Sequence, residues 1–582
     1  MPGANTLEWT RIRPKAGGVM AGDDKPGHRR ILDPWGVTGA YAELGRRWLR
    51  QPDHVQSMAL RCAANGAALT ETFWRQALGL PRQAVETPHP EDIRFSDPAW
   101  EGNALLNRMM QAYLVHTRWL MDALYETPDM DPRALQRAAF WTRQWVDAVA
   151  PGNCFLSNPE ALQRVIETGG ESLGQGLQRF LSDLLTGELP MTDREAFRVG
   201  GNIAETPGQV VYRNRLVEVI QYRPATDTVY ATPLLFVPPW INRFYILDLN
   251  RRKSMVRWLV AQGYTVFLIS WKNPGAEMRD LHFEDYLTEG LDPAVQAVRE
   301  ITRAPALHAA GYCIGGTLLS CYMAWSNRGP EGAAGNPIAH WTTFTTLVDF
   351  EDPGEIGAFI SEESLEALDR LMDGHGYLPG EALAFSFRML RPNTLIWQYY
   401  INNYLHGRDP APFDVLYWNT DNTRLPKAMH SWYLRQCYLH NRLREPDGVV
   451  LAGRPIDLGR IDQPLYCVAT VDDHIAPWRQ VFRLPGRVRG ATRGVLSTSG
   501  HIFGIVNPPV DPPKRSYWAG DATGVTDPDA WKADQAKTPG SWWEDWHAWL
   551  SARSGDRVAP PSMGNAGYPP LADAPGHYVL ES

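Results

Sequence analysis

The 582-residue sequence contains only six cysteines, Cys62, Cys154, Cys313, Cys321, Cys437 and Cys467. They are too few and too scattered for a disulfide framework, and none form the C-x-x-C pair of a zinc site. Free thiols in a reducing cytoplasm fit that usage. No apolar run approaches ~18 residues, so no membrane-spanning helix is expected. The start, Met1-Pro2-Gly3-Ala4-Asn5-Thr6-Leu7-Glu8-Trp9, lacks the basic-then-apolar pattern of a secretory signal. No long basic run offsets the formal net charge of −8, which argues against nucleic acid as a partner. No internal repeat is visible. Extremes of composition are missing too, since 44% apolar and 21% charged residues describe an ordinary globular chain. At this length one core is not enough, and two domains are expected. The one compositional excess is aromatic, with 23 Trp and 22 Tyr, rings that suit a wet apolar interface as well as a core.

Taken in order, residues 1 to about 35 are rich in Gly, Pro and charge and read as a mobile tail. From Val37 to Leu185 the pattern is helical. Trp100 to Leu124 carries Leu105, Leu106, Met109, Met110, Tyr113 and Leu114 at helical spacing, after a cap at Ser96-Asp97-Pro98. A second helix is expected over Pro132–Ala150, and a third from Asn158-Pro159-Glu160. An all-helical N-terminal domain over residues 1–195 follows, with no catalytic spacing in it.

After Arg194 the period changes. Val210-Val211-Tyr212 and Leu216 to Ile220 alternate like hairpin strands. Short apolar strands then alternate with helices, the signature of an α/β parallel sheet. Strands are expected at Thr232–Pro239, Thr265–Ser270, Thr342–Leu347, Pro464–Ala469 and near Gly494-Val495-Leu496, with helices at Ser254–Gln262 and Glu284–Arg303. Residues 196–582 form this second domain. Within it, about 350–440 reads as helices and loops rich in aromatics, an insertion where such folds carry a cap over the active site.

The centre of the domain is Ala306 to Leu319, an apolar strand, a glycine-flanked cysteine and an apolar helix. Gly311 and Gly315 stand two residues either side of Cys313, the spacing of a G-x-S-x-G nucleophile elbow with sulfur for oxygen. A turn this tight brings neighbouring chain close enough to exclude side chains at the flanking positions. It sets the sulfur at a helix N-terminus, which favours thiolate. A buried inert cysteine would meet an isolated match equally well, so the test is whether an acid and a base follow. They do: Val471-Asp472-Asp473-His474 follows one later strand, and Ser499-Gly500-His501-Ile502-Phe503-Gly504 follows the next. Nucleophile, acid, base is the order of the α/β-hydrolase fold. The turn alone does not choose between Asp472 and Asp473, and His474 reads as a structural loop residue. An oxyanion hole is expected from the backbone N–H of Ile314 together with that of Trp240 or Ile241, in the loop after Leu234–Val237. A thioester at cysteine remains a good acyl donor toward a hydroxyl, so a cysteine elbow suits transfer from a thiol to an alcohol, with acyl-CoA the obvious donor. A cap would exclude the water that otherwise intercepts the intermediate.

With Gly311-Tyr312-Cys313-Ile314-Gly315-Gly316-Thr317, Asp473-His474-Ile475-Ala476-Pro477-Trp478 and Ser499-Gly500-His501-Ile502-Phe503-Gly504 in hand, the chain resembles the class I polyhydroxyalkanoate synthases. The likeness runs from Phe95-Ser96-Asp97-Pro98-Ala99-Trp100 to Pro575-Gly576-His577-Tyr578-Val579. It includes Pro238-Pro239-Trp240-Ile241-Asn242-Arg243, Leu390-Arg391-Pro392-Asn393, Lys514-Arg515-Ser516-Tyr517-Trp518 and Gly540-Ser541-Trp542-Trp543. The resemblance implies Asp473 as the acid, a capped catalytic domain, a homodimer, and residence on polymer granules in the cytoplasm alongside phasin-type proteins. It implies polymerisation of (R)-3-hydroxyacyl-CoA, 3-hydroxybutyryl-CoA above all, onto a growing polyester, with CoA released and no separate cofactor or metal. Tyr312 and Ile314 depart from the family's more usual Phe and Val, and Trp240 from a smaller residue. A cysteine thioesterase or depolymerase, and a silent granule-coating protein, are the competing readings.

Overall fold

The computed structural model describes residues 33, 35–81, 84–89, 92–187 and 189–581. Apart from Asp33 and Trp35, the tail expected at residues 1–35 lies outside these. The chain divides into two compact units. One comprises residues up to Asp193 with Gly357–Ser364 and Ser386–Ala411; the other comprises Arg194–Ile356, Leu365–Phe385 and Pro412–Ser582. The insertion read as a single cap at 350–440 is thus shared between the two.

The first unit is helical, with long helices at Val37–Arg50, Pro52–Ala77, Ala104–Tyr125, Pro132–Ala148 and Glu171–Thr186. Side chains that satisfy otherwise orphaned N–H groups set some of the helix starts, including that of the shorter helix Pro159–Glu167, though not those of Pro52–Ala77 and Glu171–Thr186. Asp131 accepts from Ala134 N at 2.8 Å ahead of Pro132, and Asn158 accepts from Ala161 N at 2.9 Å ahead of Pro159. The helix expected from Trp100 is broken. Asp97 caps only the turn Ala99–Gly102, and Asn103, in extended backbone, starts the long helix by accepting from Leu105 N and Leu106 N.

The second unit is built on one sheet. Its strands are β1 (Gly208–Arg213), β2 (Val217–Tyr222), β3 (Leu234–Val237), β4 (Val266–Trp271), β5 (Leu307–Tyr312), β6 (Ile338–Phe344), β7 (Leu465–Thr470), β8 (Thr492–Ser497), β9 (Ser516–Asp521), β10 (Lys537–Pro539) and β11 (Ala572–Asp573). Their spatial order is β10-β9-β8-β7-β6-β5-β3-β4-β2-β1-β11. Pairing is parallel from β4 through β3, β5, β6 and β7 to β8. It is antiparallel in the β1–β2 hairpin, between β2 and β4, and at β9 and β10. The order 1-2-4-3-5-6-7-8 with an antiparallel second strand is the α/β-hydrolase fold. The parallel strands β3, β4, β5 and β7 are buried along their whole length, as strands covered on both faces require, and so is the antiparallel β2. One consequence positions the chemistry: β5, β7 and β8 run parallel, so their C-terminal ends open on one edge of the sheet.

Candidate active site

At the end of β5 the chain turns through Cys313 and enters the helix Ile314–Ser326. Cys313 has φ 54° and ψ −124°, a conformation that costs a non-glycine residue on the order of 1–3 kcal/mol and persists only where packing dictates it. The packing is specific. A Cβ on Gly311 would stand 2.5 Å from Gly316 Cα, and one on Gly315 would stand 2.6 Å from Pro238 O. The helix therefore abuts the backbone just after β3. Cys313 N donates to Phe344 O at 2.9 Å, which ties the turn to β6.

The acid and the base come from the ends of β7 and β8. Asp473 is buried, and its Oδ1 accepts from Ile475 N at 2.9 Å and Ala476 N at 2.8 Å. Its Oδ2 accepts from Thr470 Oγ1 at 3.2 Å and from His501 Nδ1 at 2.7 Å. Burial alone would raise the Asp473 carboxyl, but the His501 charge and these donors hold it below the usual carboxylate range. Burial likewise opposes the charged form of His501; the Asp473 carboxylate, with a further contribution from the charge and hydrogen bond of Cys313, outweighs it and raises the imidazole to about 10. With Nδ1 committed to Asp473, the other ring nitrogen is left for Cys313. The structure thus brings Cys313, Asp473 and His501 into one constellation. Asp472 is half-buried, and its N–H donates to Ser499 O at 3.0 Å. The half-buried His474 contributes charge that lowers Asp473.

Of the expected oxyanion donors, Ile314 opens the helix whose Gly315 abuts the backbone of Val237 and Pro238, just ahead of Trp240 and Ile241. As the first helical residue, Ile314 has an N–H without an intrahelical acceptor. Trp240 and Ile241 are held from behind: Thr423 Oγ1 donates to Trp240 O, Thr423 N to Ile241 O at 3.3 Å, and Asn242 Nδ2 to Asn422 Oδ1 at 3.0 Å. The Trp240 indole is buried against Tyr286, with ring centroids 4.4 Å apart, and against Trp271 at 5.3 Å.

Three features around the triad carry no sign in the motif spacing. Tyr312 donates its hydroxyl to His501 O at 2.8 Å. In the helix Trp542–Ser551, Trp542 Nε1 and Trp543 Nε1 donate to Gly504 O and Ile505 O, bracing the loop that carries His501. Tyr433 and Tyr438 are buried, and with burial the charge at Cys313 pushes both hydroxyls up. The spacing Trp542, Trp543, Trp546, Trp549 is that of one helix face and is the signal that could have revealed the brace. Among the described residues no group of three or more His, Cys, Asp or Glu side chains is placed to hold a metal ion, and no helix is long and apolar enough to cross a membrane.

Residues 91–259 match the family described as the poly-beta-hydroxybutyrate polymerase (PhaC) N-terminus. A poly(3-hydroxyalkanoate) polymerase of Methylorubrum extorquens is 39% identical over 568 residues, 97% of this chain and 92% of its own length. The poly(3-hydroxyalkanoate) polymerase subunit PhaC of Cupriavidus necator is 41% identical over 504 residues, 85% of this chain and 84% of its own. Among solved structures, a putative hydrolase from Agrobacterium vitis S4 covers 51% of this chain and 91% of its own at 13% identity, with a TM-score of 0.30. With an elbow cysteine, a buried Asp–His pair in the α/β-hydrolase order and end-to-end likeness to named polymerases, this chain belongs to the poly(3-hydroxyalkanoate) polymerase family.

Proposed function

We propose that this chain polymerises (R)-3-hydroxyacyl-CoA, with 3-hydroxybutyryl-CoA as the main monomer, into polyester through an acyl-cysteine at Cys313. The observation that carries this reading is the likeness to polymerases over nearly the whole length of both chains. The geometry supports a balanced cycle. His501 takes the Cys313 proton, and the thiolate attacks the thioester carbonyl while N–H groups of Ile314 and of Trp240 or Ile241 receive the oxyanion. The carbon–sulfur bond to CoA breaks, and the imidazolium returns its proton to the departing CoA thiolate. The 3-hydroxyl of a monomer or chain end then gives His501 its proton and attacks the acyl-cysteine. Collapse of that adduct forms the ester and returns the cysteine. Asp473 holds the tautomer and balances the charge on His501 throughout. No separate cofactor enters, since CoA arrives with the substrate and leaves as product.

The same reading places the protein as a homodimer on the surface of cytoplasmic polyester granules, in company with phasin-type proteins. One incubation with (R)-3-hydroxybutyryl-CoA tests the activity. CoA release accompanied by rising turbidity and little free acid is expected. CoA release matched by free 3-hydroxybutyrate, without turbidity, would make the protein a thioesterase instead.

A further inference from the structure

Tyr312, the residue directly before the nucleophile, is fully buried at the end of β5. It makes two contacts with one partner. Its hydroxyl donates to the main-chain oxygen of His501 at 2.8 Å, and its ring lies against the imidazole at a centroid distance of 5.5 Å and an interplanar angle of 28°. His501 stands in a loop where Ser499 has φ 83° and Gly500 and Gly504 flank the base, a backbone with more freedom than a strand or helix. Asp473 fixes the ring through Nδ1 alone, which leaves rotation about that hydrogen bond unconstrained; the main chain before the base is held where Asp472 N donates to Ser499 O at 3.0 Å, two residues away. Trp542 and Trp543 hold the far side of the loop at Gly504 and Ile505, not the base itself.

We propose that Tyr312 is a positioning residue for His501, clamping the main chain of the base through its hydroxyl and the imidazole through its ring, so that the strand end presenting Cys313 also sets the base beside it. Burial, reinforced by the Cys313 and Asp473 charges, keeps the Tyr312 hydroxyl protonated far above neutral pH. It is therefore a constant donor. The charged groups acting on His501 are Asp473 and Cys313, so a change at Tyr312 reaches the base through geometry and not by adding a charge. A phenylalanine at this position supplies the stack without the clamp.

The proposal rests on Cys313 and His501 acting as nucleophile and base, and its test separates the two. Tyr312→Phe is compared with the parent and with Tyr322→Phe, which removes another buried hydroxyl, the one bonded to Asp292 at 3.0 Å. Two readouts are taken: kcat and KM for CoA release from (R)-3-hydroxybutyryl-CoA, and the pH profile of iodoacetamide labelling at Cys313 without substrate, read by peptide mass spectrometry. A base displaced by a fraction of an ångström lowers kcat by about 10- to 100-fold with KM changed less than about threefold. It also weakens the thiolate–imidazolium pair, moving the acidic limb of the labelling profile up by roughly one pH unit. Tyr322→Phe leaves the profile where it is. A parental kcat and profile in Tyr312→Phe, or a lower kcat with an unmoved profile, would reduce Tyr312 to a packing residue. Failure of the underlying reading looks different: Cys313→Ala would still release CoA at the parent rate, whatever Tyr312→Phe does.

Discussion

In strand β4, Val266, Phe267, Leu268 and Ile269 are fully buried, whereas along the helix Glu171–Thr186 Leu177, Leu181, Leu184 and Leu185 are each exposed by half or more. Both stretches bring apolar side chains, yet one is closed on both faces and the other carries an open apolar stripe. The difference explains where the chemistry sits. A cysteine at φ 54° needs surroundings that dictate its conformation, and the turn after β5 has them in Gly311, Gly315 and the buried strands on either side. The helical unit has the opposite character along the helix Glu171–Thr186, where much of the apolar surface does no packing.

The contrast is broken most directly at the elbow. Cys313→Ala is expected to abolish CoA release and polymer formation, and Cys313→Ser to lose about 10³-fold or more, since a serine hydroxyl is a far weaker nucleophile than an assisted thiolate and its acyl product is an oxoester close in energy to the polymer. Intact mass after brief exposure to substrate checks both. A 3-hydroxyacyl adduct persisting in Cys313→Ala would move the active site elsewhere.

Next in size, Asp473→Asn should cost about 10²- to 10⁴-fold in CoA release, while Asp472→Asn stays near the parent, because only Asp473 reaches His501 Nδ1. Equal losses would mean that the carboxylate at this turn acts through its charge alone.

Stability sharpens the comparison between units. Leu268→Ala in β4 is expected to cost about 2–5 kcal/mol, and Leu184→Ala within about 0.5 kcal/mol, measured by denaturant unfolding. Comparable costs would mean that the helical stripe is packed.

The smallest effect is in pH. His501 is raised to about 10 in the fold, so its contribution to stability is fully present below its unfolded value near 6.5 and is lost as pH rises toward 10. Asp473 is lowered, so its contribution is present above ~4 and is lost as pH falls through its folded value. Tm should therefore hold through weakly acidic pH and decline on the alkaline side. In His501→Gln that alkaline decline should be shallower; an unchanged slope would assign it to other groups.

The elbow, the order of acid and base, and the parallel strands were legible because each combines a period with a steric demand: glycine where a Cβ has no room, and unbroken apolar runs where both sheet faces are covered. Thr342–Leu347 misled by composition. The strand is Ile338–Phe344, and Thr345, Thr346 and Leu347 are buried as a turn, with Thr345 at φ 42° and its N–H on Val468 O. A buried turn and a buried strand select the same residues. The helix expected at Glu284–Arg303 holds a π-helical segment at Tyr286–Leu291, where Tyr286 meets Trp240, a change in winding that leaves no mark on periodicity. Strands β9 and β10 stayed hidden because neither is buried along its length, so neither alternates. The insertion at 350–440 showed its helices but not their allegiance, since an apolar helix face does not state which core it joins. At the site, Asp472 and Asp473 are chemically identical on paper, and only the fold distinguishes them.

The loop carrying His501 is braced by the tryptophans of the helix Trp542–Ser551, where Trp546 also donates to Thr342 on β6 at 3.0 Å, and β1 pairs with β11 at Ala572–Asp573. The order of synthesis gives this arrangement a consequence. The nucleophile is translated more than two hundred residues before the helix that steadies its base, and the sheet edge is completed later still. Contacts between such distant parts of a chain form late in folding. A nascent chain paused between the His501 loop and the tryptophan helix carries a reactive cysteine beside an unsteadied base. Catalytic competence is thus acquired only after the tryptophan helix has been made, well over two hundred residues after the nucleophile.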